Sequence, residues 1–187
     1  MTVAAHDLSR LIAALHYAAL QHRDQRRKDE DASPYINHPI SLLNILAVEA
    51  GVTDTDVLCA AVLHDVIEDC SGEQQEFIAD RRAEIRAQFG DSVLAIVEDV
   101  TDDKELTRDE RKQRQIDHAR HLSAAAKLVK LADKTSNLRD VAHNAPATWS
   151  LQRRREYFDW AQAVIDAIGP AHARLEHLFA AAAAAKP

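Results

Sequence analysis

The chain reads Val57-Leu58-Cys59-Ala60-Ala61-Val62-Leu63-His64-Asp65-Val66-Ile67-Glu68-Asp69, and this stretch decides the fold. At about 100° per residue, the apolar side chains of its first half surround a helix on every side, which is typical of a helix buried in a core. We therefore expect a helix from about 55 to 69, capped by Thr53 or Asp54. It continues into four ionisable residues, which we expect on one arc of roughly 140°: His64, Asp65, Glu68 and Asp69.

The three carboxylates of this segment follow directly on an apolar helix. Burying neighbouring carboxylates is costly unless a cation compensates their charge. The competing interpretation is a helix end that emerges into water, where acidic side chains are simply solvated. Negative charge near a helix C-terminus opposes the helix dipole, and this favours a cation site over a purely structural role.

The rest of the chain also has helical periodicity. A first amphipathic helix begins near Asp7 and carries Leu8, Leu11, Ile12, Leu15 and Ala19 on its apolar face, and a polar loop follows over residues 22–31. Pro39 is expected to open the second helix. We place the remaining helices, after the one at 55–69, at roughly 74–89, 91–100, 107–121, 124–143, 149–168 and 170–184. Glycines follow the apolar segments at helix ends: Gly51, Gly72, Gly90 and Gly169.

Length and composition restrict the class of protein. The 187 residues, of which 47% are hydrophobic and 28% charged, correspond to one ordered domain. Four glycines and five prolines are too few for the turns of an all-β fold. These features predict a single all-α domain over 1–187 with a core over about 5–180. The alanine-rich tail, Ala180 to Ala185, is expected to fray because it has little to pack against.

Charge and cysteine usage indicate the setting. The formal net charge of −7 argues against nonspecific binding to nucleic acid or to a membrane. No leader and no apolar run of about 20 residues is recognisable. Cys59 and Cys70 lack the spacing of a paired-thiol motif, so we expect reduced thiols and a cytoplasmic protein.

Two further segments bring polar residues towards the ionisable helix. The helix at 124–143 carries a stripe within an arc of roughly 120°: Lys127, Lys130, Asp133, Lys134 and Asn137. An ion pair on a solvent-exposed face would also explain this stripe. In Tyr35-Ile36-Asn37-His38-Pro39, the histidine lies just before a helix-starting proline and is either held in one direction or acts as a polar cap.

Together these segments supply two imidazoles and two carboxylates: His38, His64, Asp65 and Asp133. Such a set suits Mn²⁺, Fe²⁺ or Zn²⁺ better than Ca²⁺ or a thiolate-bound structural zinc. Four protein ligands leave room for water or substrate only on a metal with five or six partners, which favours manganese or iron over tetrahedral zinc. The sequence therefore predicts a divalent metal site.

These motifs resemble a known family. An adjacent His-Asp pair with an upstream His and a downstream Asp is the signature of the HD-domain metal-dependent phosphohydrolases. Over roughly residues 5–180 the chain resembles the hydrolase domain of the RelA/SpoT proteins. Three stretches are most similar to the stand-alone small alarmone hydrolases, including the metazoan form: Gln25-Arg26-Arg27-Lys28-Asp29, Val100-Thr101-Asp102-Asp103-Lys104 and Glu156-Tyr157-Phe158. Three segments carry most of the likeness: Tyr35-Ile36-Asn37-His38-Pro39, Leu63-His64-Asp65-Val66-Ile67-Glu68-Asp69 and Lys130-Leu131-Ala132-Asp133-Lys134 with Asn137-Leu138-Arg139.

The resemblance implies an HD-domain helical bundle and a Mn²⁺-dependent enzyme that removes pyrophosphate from the 3′ position of guanosine tetra- or pentaphosphate (ppGpp or pppGpp), giving GDP or GTP. It implies that Glu68 and Asp69 handle the attacking water. It also implies that His38, His64, Asp65 and Asp133 hold the metal. The residues expected at the substrate, including two lysines that would offset polyphosphate charge, are Arg27, Lys28, Lys130, Lys134, Asn137, Arg153 and Tyr157.

Two other functions are consistent with the same residues. The metazoan likeness suggests phosphatase action on another nucleotide, above all the 2′-phosphate of NADPH. A metal-free module that binds a nucleotide without turnover is the third interpretation, and the filled ligand positions argue against it. The expected partner is a small nucleotide, with no nucleic acid and no membrane, and the chain is expected to be a monomer or a homodimer.

Overall fold

The computed structural model describes residues 5–70 and 75–187, and within these ranges the chain is helical with no β-strand. One isolated antiparallel bridge joins Arg26 to Pro34. The all-α prediction is confirmed, and Gly72 lies outside the described ranges. The helices are α1 (Ala5–Gln21), α2 (Asn37–Leu43) with a π-helical continuation (Asn44–Glu49), α3 (Thr55–Leu63), α4 (Val66–Cys70), α5 (Gln75–Phe89), α6 (Asp91–Val100), α7 (Arg108–Ala119), α8 (Ala124–His143), α9 (Leu151–Ile168) and α10 (Ala173–Ala183).

Short polar side chains start several of these helices. Asp54 accepts hydrogen bonds from the backbone amides of Asp56 and Val57, as the sequence predicted for one of its two candidate caps. Thr107 and Glu110 form a reciprocal capping box at the start of α7. Gly90 ends α5 with a φ of 92°, a backbone conformation that favours glycine.

Helix α3 lies at the centre of the bundle. Its residues from Val57 to Leu63 are all buried, and the helix packs against α1, α2, α6 and α8. Cys59 is buried within it and forms no disulfide with any described residue, which agrees with a reduced thiol. The side chain of Cys70 lies outside the described part of the chain. Since α2 and α8 also contact α3, this helix fixes the elements that carry the predicted ligands.

The helix expected over about 55–69 is interrupted, so that prediction was wrong in its second half. Helix α3 ends at Leu63, a turn contains His64 and Asp65, and α4 begins at Val66. The His64 Nδ1 atom lies 2.9 Å from the carbonyl oxygen of Ala61, which a continued helix would offer to the amide of residue 65. The side chain of His64 thus competes with the backbone ladder at the point where the helix stops.

The buried face of α1 differs from the predicted one. Leu8 and Ile12 are 53% and 56% exposed, whereas Ala14, Tyr17 and Ala18 are buried. The two small alanines let α1 approach α3 closely, and Tyr17 adds a hydrogen bond from its hydroxyl to Glu84. Helical periodicity identified the helix, but tertiary packing selected which of its apolar residues are covered.

The alanine-rich tail packs against the bundle, so the expectation that it frays was wrong. Helix α10 runs to Ala183, and Ala182 is buried in the core. Beyond the helix, the Lys186 ammonium pairs with Asp159, and the guanidinium of Arg155 donates to the carbonyl oxygen of Pro187. Alanine helices can pack closely because their side chains are small, which composition alone did not reveal. Among the described residues, no helix combines the length and apolar character needed to cross a bilayer.

Candidate metal and substrate site

The turn between α3 and α4 holds the first two predicted ligands. The imidazole of His64 is buried, and its Nδ1–H donates to the Ala61 carbonyl at 2.9 Å. This hydrogen bond leaves the Nε2 atom facing a carboxylate oxygen of Asp65 at 2.9 Å. A neutral imidazole with its proton on Nδ1 has only a lone pair to offer there, so the two atoms require a cation or a further proton.

His38 brings the second imidazole from α2. It lies in the first turn of that helix, which begins at Asn37, so Pro39 is the third helical residue and not the first. Its Nε2 atom is 3.3 Å from a carboxylate oxygen of Asp133 and 3.9 Å from one of Asp65. Its Nδ1 atom lies 3.3 Å from the hydroxyl of Ser136. The His38 ring is therefore held from both sides with Nε2 directed at the carboxylates.

Asp133 reaches this group from α8 and is buried, as is Lys134 beside it. The interpretation of the α8 stripe as a solvent-exposed ion pair is therefore wrong for these two residues. One Asp133 oxygen accepts a hydrogen bond from the Asn137 amide at 2.6 Å, and the other pairs with the Lys134 ammonium at 3.1 Å. Asp133 is consequently oriented by two neighbours on its own helix while it faces His38.

The electrostatics of the four groups reflect their close approach. Burial by itself would raise the pKa of Asp133, but the Lys134 ammonium and the His38 ring hold it well below its usual range. Burial opposes ionisation of Asp65 as well, and His64 nevertheless lowers its pKa. Burial tends to lower the pKa of His64, but the Asp65 carboxylate outweighs this effect and the pKa is raised. The neighbouring groups therefore favour the ionised form of both carboxylates.

The donor atoms fit a divalent metal. Nitrogen and oxygen donors of His38, His64 and Asp65 all lie within 4.8 Å of one another, and Asp133 joins them through its contact with His38. Imidazole and carboxylate donors together suit first-row divalent cations. The unshared lone pair of His64 facing a carboxylate is the feature that such a cation would satisfy.

Tyr35 is a residue whose contact at this site the sequence analysis did not predict. Its hydroxyl donates to an oxygen of Asp65 at 2.6 Å, and its ring stacks on His22 with centroids 4.8 Å apart. A hydrogen bond to a ligating carboxylate orients the ligand. Its position three residues before His38 was the signal available, but an aromatic residue there is equally consistent with a core role.

Glu68 and Asp69 lie on α4, next to the ligand group. Burial raises the pKa of Glu68 to about 7, and the nearby carboxylate of Asp65 adds to the shift. One Glu68 oxygen accepts a hydrogen bond from the backbone amide of Asp102. Asp69 accepts hydrogen bonds from Gln25 at 2.9 Å and from Lys104 at 2.8 Å. Glu68 is thus poised to exchange a proton near neutral pH, and Asp69 is held by two donors.

Each residue of this acidic pair lines a cavity. The first, of about 460 Å³, is lined by Asp69 and by aromatic, cationic and amide side chains. The second, of about 670 Å³, is lined by Glu68, Lys104, Arg82 and Arg114 among others. The predicted substrate residues in the first cavity are Arg27, Lys28, Asn137 and Tyr157, and Tyr35, Asp140 and Trp149 accompany them.

The predicted substrate residues make distinct protein contacts. Arg27 lies 2.6 Å from Asp140 and 3.2 Å from the Asn137 side-chain oxygen, and its guanidinium sits over the Tyr35 ring. Arg153 lies over the ring of Trp149, whose own ring is tilted against that of Tyr157. These contacts prearrange a cavity with aromatic faces and a cationic edge.

The two lysines of α8 are placed differently. Lys130 is buried and donates to the carbonyl oxygen of Val100 at 3.2 Å. Lys134 is buried between Asp133 and the ring of Trp160, with its ammonium 4.2 Å from the ring centroid. Both lysines are engaged with the protein, and their contact with substrate stays a prediction.

An all-α bundle that gathers two imidazoles and two carboxylates in a buried site defines a class, the helical proteins with a His-Asp site for a divalent metal. Within that class the chain belongs to the HD-domain family, whose model matches residues 14–159.

Several relatives are similar over nearly the whole chain. Guanosine-3′,5′-bis(diphosphate) 3′-pyrophosphohydrolase MESH1 of Xenopus tropicalis is 46% identical over 177 residues, which cover 92% of this chain and 94% of that protein. The Homo sapiens protein of the same name has the same identity and coverage. A solved structure, described as a metazoan orthologue of SpoT that hydrolyses ppGpp, matches with a TM-score of 0.85 and 44% identity, covering 92% of this chain and 93% of that chain. These likenesses confirm the family resemblance.

Proposed function

We propose that this chain is an enzyme that hydrolyses guanosine 3′,5′-bis(diphosphate) at the 3′ position, releasing pyrophosphate and GDP, and likewise converts the pentaphosphate to GTP. The observation that carries the proposal is the placement of Glu68, with a pKa raised to about 7, beside the gathered donors of His38, His64 and Asp65. The proposed substrate comes from the names of relatives that are 44–46% identical to this chain over nearly its full length.

The proposed ligands are His38, His64, Asp65 and Asp133, and the proposed metal is Mn²⁺, with Fe²⁺ and Zn²⁺ as alternatives. A divalent cation held by these residues would polarise a phosphoryl oxygen and lower the pKa of a nearby water. Tyr35 and Asn137 hold Asp65 and Asp133 in place through their hydrogen bonds. Two anionic ligands and two neutral imidazoles suit a metal that keeps further positions for water and substrate.

The acidic pair performs the proton transfer in this proposal. Glu68 accepts a proton from the attacking water, because a carboxyl group with a pKa near 7 exchanges protons efficiently at neutral pH. Asp69, fixed by Gln25 and Lys104, orients that water. The water oxygen forms a bond to the phosphorus attached to the ribose 3′ oxygen, and the bond from phosphorus to that oxygen breaks. The water oxygen therefore ends in pyrophosphate, and the ribose keeps its 3′ oxygen and gains a proton.

The cavity next to Asp69 is proposed to hold the nucleoside. Its aromatic faces, Trp149 and Tyr157, offer stacking surfaces for a base, and Arg27 and Lys28 offer positive charge to phosphate groups. Arg153 over the Trp149 ring extends the cationic edge. Lys130 and Lys134 are proposed to balance the negative charge that gathers around the acidic groups. The enzyme is proposed to be cytoplasmic, in keeping with the free thiol of Cys59.

NADPH 2′-phosphatase action is the second candidate, because the same acidic pair would direct a water at the phosphorus of a ribose 2′-phosphate, with the 2′ oxygen leaving as a hydroxyl. The cavity favours a nucleotide in general: its aromatic surfaces stack on adenine as well as on guanine. The two functions differ in which base and which phosphate the cavity accepts.

Product analysis distinguishes these candidates. Purified, Mn²⁺-loaded protein receives guanosine tetraphosphate or NADPH in parallel, in water enriched with ¹⁸O. The proposal expects GDP and ¹⁸O-labelled pyrophosphate, formed much faster than orthophosphate from NADPH. Label in the GDP would place the cleavage at the wrong bond. Rapid formation of NADH and orthophosphate with intact alarmone would assign the site to the second function.

Reconstitution identifies the metal. The protein is stripped with a chelator and reloaded with Mn²⁺, Fe²⁺ or Zn²⁺ in equal amounts, with Asp133→Ala as the control that lacks one proposed ligand. The highest turnover is expected with Mn²⁺. Turnover that survives complete metal removal would contradict metal dependence.

A further inference from the structure

The loop between α1 and α2 contacts the acidic segment at both of its ends. The side-chain amide of Gln25 donates to an oxygen of Asp69 at 2.9 Å, and the hydroxyl of Tyr35 donates to Asp65 at 2.6 Å. The two loop residues are joined by their own backbone, because the Gln25 carbonyl accepts the Tyr35 amide at 3.1 Å. A single loop thus holds two carboxylates that lie four residues apart.

Hydrogen-bond chemistry fixes the orientation of the Gln25 amide. The NH₂ group of Gln25 donates to a carboxylate oxygen of Asp69, so the amide oxygen of Gln25 faces the other way. That oxygen lies 2.6 Å from Nδ1 of His22. His22 must therefore carry a hydrogen on Nδ1. Its ring is 1% exposed and stacked on Tyr35, so it has little freedom to turn.

Asp69 depends on this contact because α4 is short. The helix has five residues and is separated from α3 by the turn at His64 and Asp65, so the long buried helix does not rigidly direct it. The second donor to Asp69 is Lys104, whose side chain is 46% exposed. An exposed ammonium on a flexible stem gives a weak and poorly directional contact, whereas the partly buried amide of Gln25, bonded to the buried His22, gives a directional one.

We propose that Gln25 is a positioning residue for Asp69, oriented in turn by His22 with its proton on Nδ1. The effect on turnover rests on the proposed hydrolase function. The hydrogen-bonded relay from His22 through Gln25 to Asp69 does not depend on that function. His22 fixes the amide of Gln25, and Gln25 fixes the carboxylate that orients the attacking water. Without Gln25, Asp69 keeps its contact with Lys104 among the described residues and turns away from the water.

A double-mutant cycle tests the effect on turnover. Gln25→Met keeps the length of the side chain and removes both hydrogen bonds. We expect its kcat to fall by about 10- to 50-fold with KM changed by less than about threefold, because orientation of the water matters in the transition state. In an Asp69→Ala background the same change should have less than about a twofold effect. Independent, multiplicative losses would overturn the proposal, since Gln25 would then act by another route.

Gln162→Met is the matched control. Gln162 makes the same kind of bond, from its amide to Asp166 at 2.8 Å, on the exposed surface of α9. Its removal should leave kcat unchanged. A comparable loss in this variant would mean that the fall in Gln25→Met reflects general destabilisation.

Nuclear magnetic resonance tests the relay without turnover. Long-range ¹H–¹⁵N correlation should find the His22 proton on Nδ1, and the side-chain carboxyl carbon of Asp69 should shift in Gln25→Met but not in Gln162→Met. A His22 ring protonated only on Nε2, or an unmoved Asp69 signal, would overturn the relay. An intact relay in a protein that leaves the alarmone unhydrolysed would instead overturn the proposed function.

Discussion

Two consecutive segments of the chain, α3 and the turn with α4 that follows it, place opposite kinds of side chain in or beside the same core. The residues from Val57 to Leu63 in α3 are apolar and buried, and each large side chain stabilises the fold by about 1.5–3 kcal/mol. The next six residues place four ionisable groups beside that core, among them the buried His64 and the half-buried Glu68. The first segment contributes stability, and the second depends on it.

This difference explains why the two segments must be adjacent. Carboxylates held close together repel one another, and buried charges lose hydration, so such a group stays in place only where the surrounding structure is rigid. Helix α3 contacts α1, α2, α6 and α8, and two of these helices carry the remaining proposed ligands, His38 and Asp133. A stable helix therefore anchors an arrangement that is electrostatically unfavourable by itself.

The largest effect is expected from removal of a carboxylate ligand. Asp133→Ala should lose the metal and lower turnover by about 1,000-fold or more, because it removes a donor and leaves Lys134 buried without its partner. Metal content after chelator-free purification and turnover of the same sample measure this effect. Asp166→Ala, an exposed aspartate of α9, is the control. Retention of a full equivalent of metal in Asp133→Ala would contradict the ligand assignment.

The next largest effect concerns Glu68. Glu68→Gln should retain the metal and the fold but lower kcat by about 100- to 1,000-fold, because it removes the group that accepts the proton. Steady-state kinetics together with metal analysis check this. Full activity in purified Glu68→Gln protein would exclude the assigned role.

A change in α3 should have the opposite pattern, with loss of stability and retained chemistry. Leu58→Ala is expected to lower the free energy of unfolding by about 2–4 kcal/mol, because Leu58 is buried and its truncation leaves a cavity. Urea unfolding measures the loss, and kcat per folded molecule should stay within about twofold. Ile12→Ala, at an exposed apolar position of α1, should change stability by less than about 0.5 kcal/mol. A large fall in kcat for Leu58→Ala would contradict the idea that α3 contributes stability alone.

The smallest effect is a gain of stability from a substitution at the candidate site itself. The Glu68 pKa is raised from 4.5 to about 7 in the folded protein, so the folded state binds more protons than the unfolded state between these values. Stability should therefore fall as pH rises through this window, and the full penalty is present above pH 7. In metal-free protein at pH 8, Glu68→Gln should be more stable than the parent by about 1–3 kcal/mol.

Urea unfolding of chelator-treated protein at pH 5 and pH 8 measures this gain. The difference between Glu68→Gln and the parent should be small at pH 5, where Glu68 keeps most of its proton in the folded state, and larger at pH 8. An equal difference at both pH values would mean that Glu68 titrates normally and that its raised pKa contributes nothing to stability.

Sequence periodicity predicted most of the helices and the burial of α3, although not the break after Leu63, because both depend on the order of apolar residues along the chain. The His-Asp motif and the positions of His38 and Asp133 also predicted which four side chains the fold brings together. Their family resemblance is confirmed by the match over residues 14–159. The roles of the site residues stay predictions.

The tertiary structure decided what the sequence pattern left open. It ended α3 at Leu63, covered a different face of α1, and buried Ala182 of the tail, because these outcomes depend on which surfaces meet. It also brought Tyr35 and Gln25 onto carboxylates that lie 30 and 44 residues away in the chain. Local sequence sets which conformations are favourable, but hydrogen bonds between distant segments exist only once the bundle has packed.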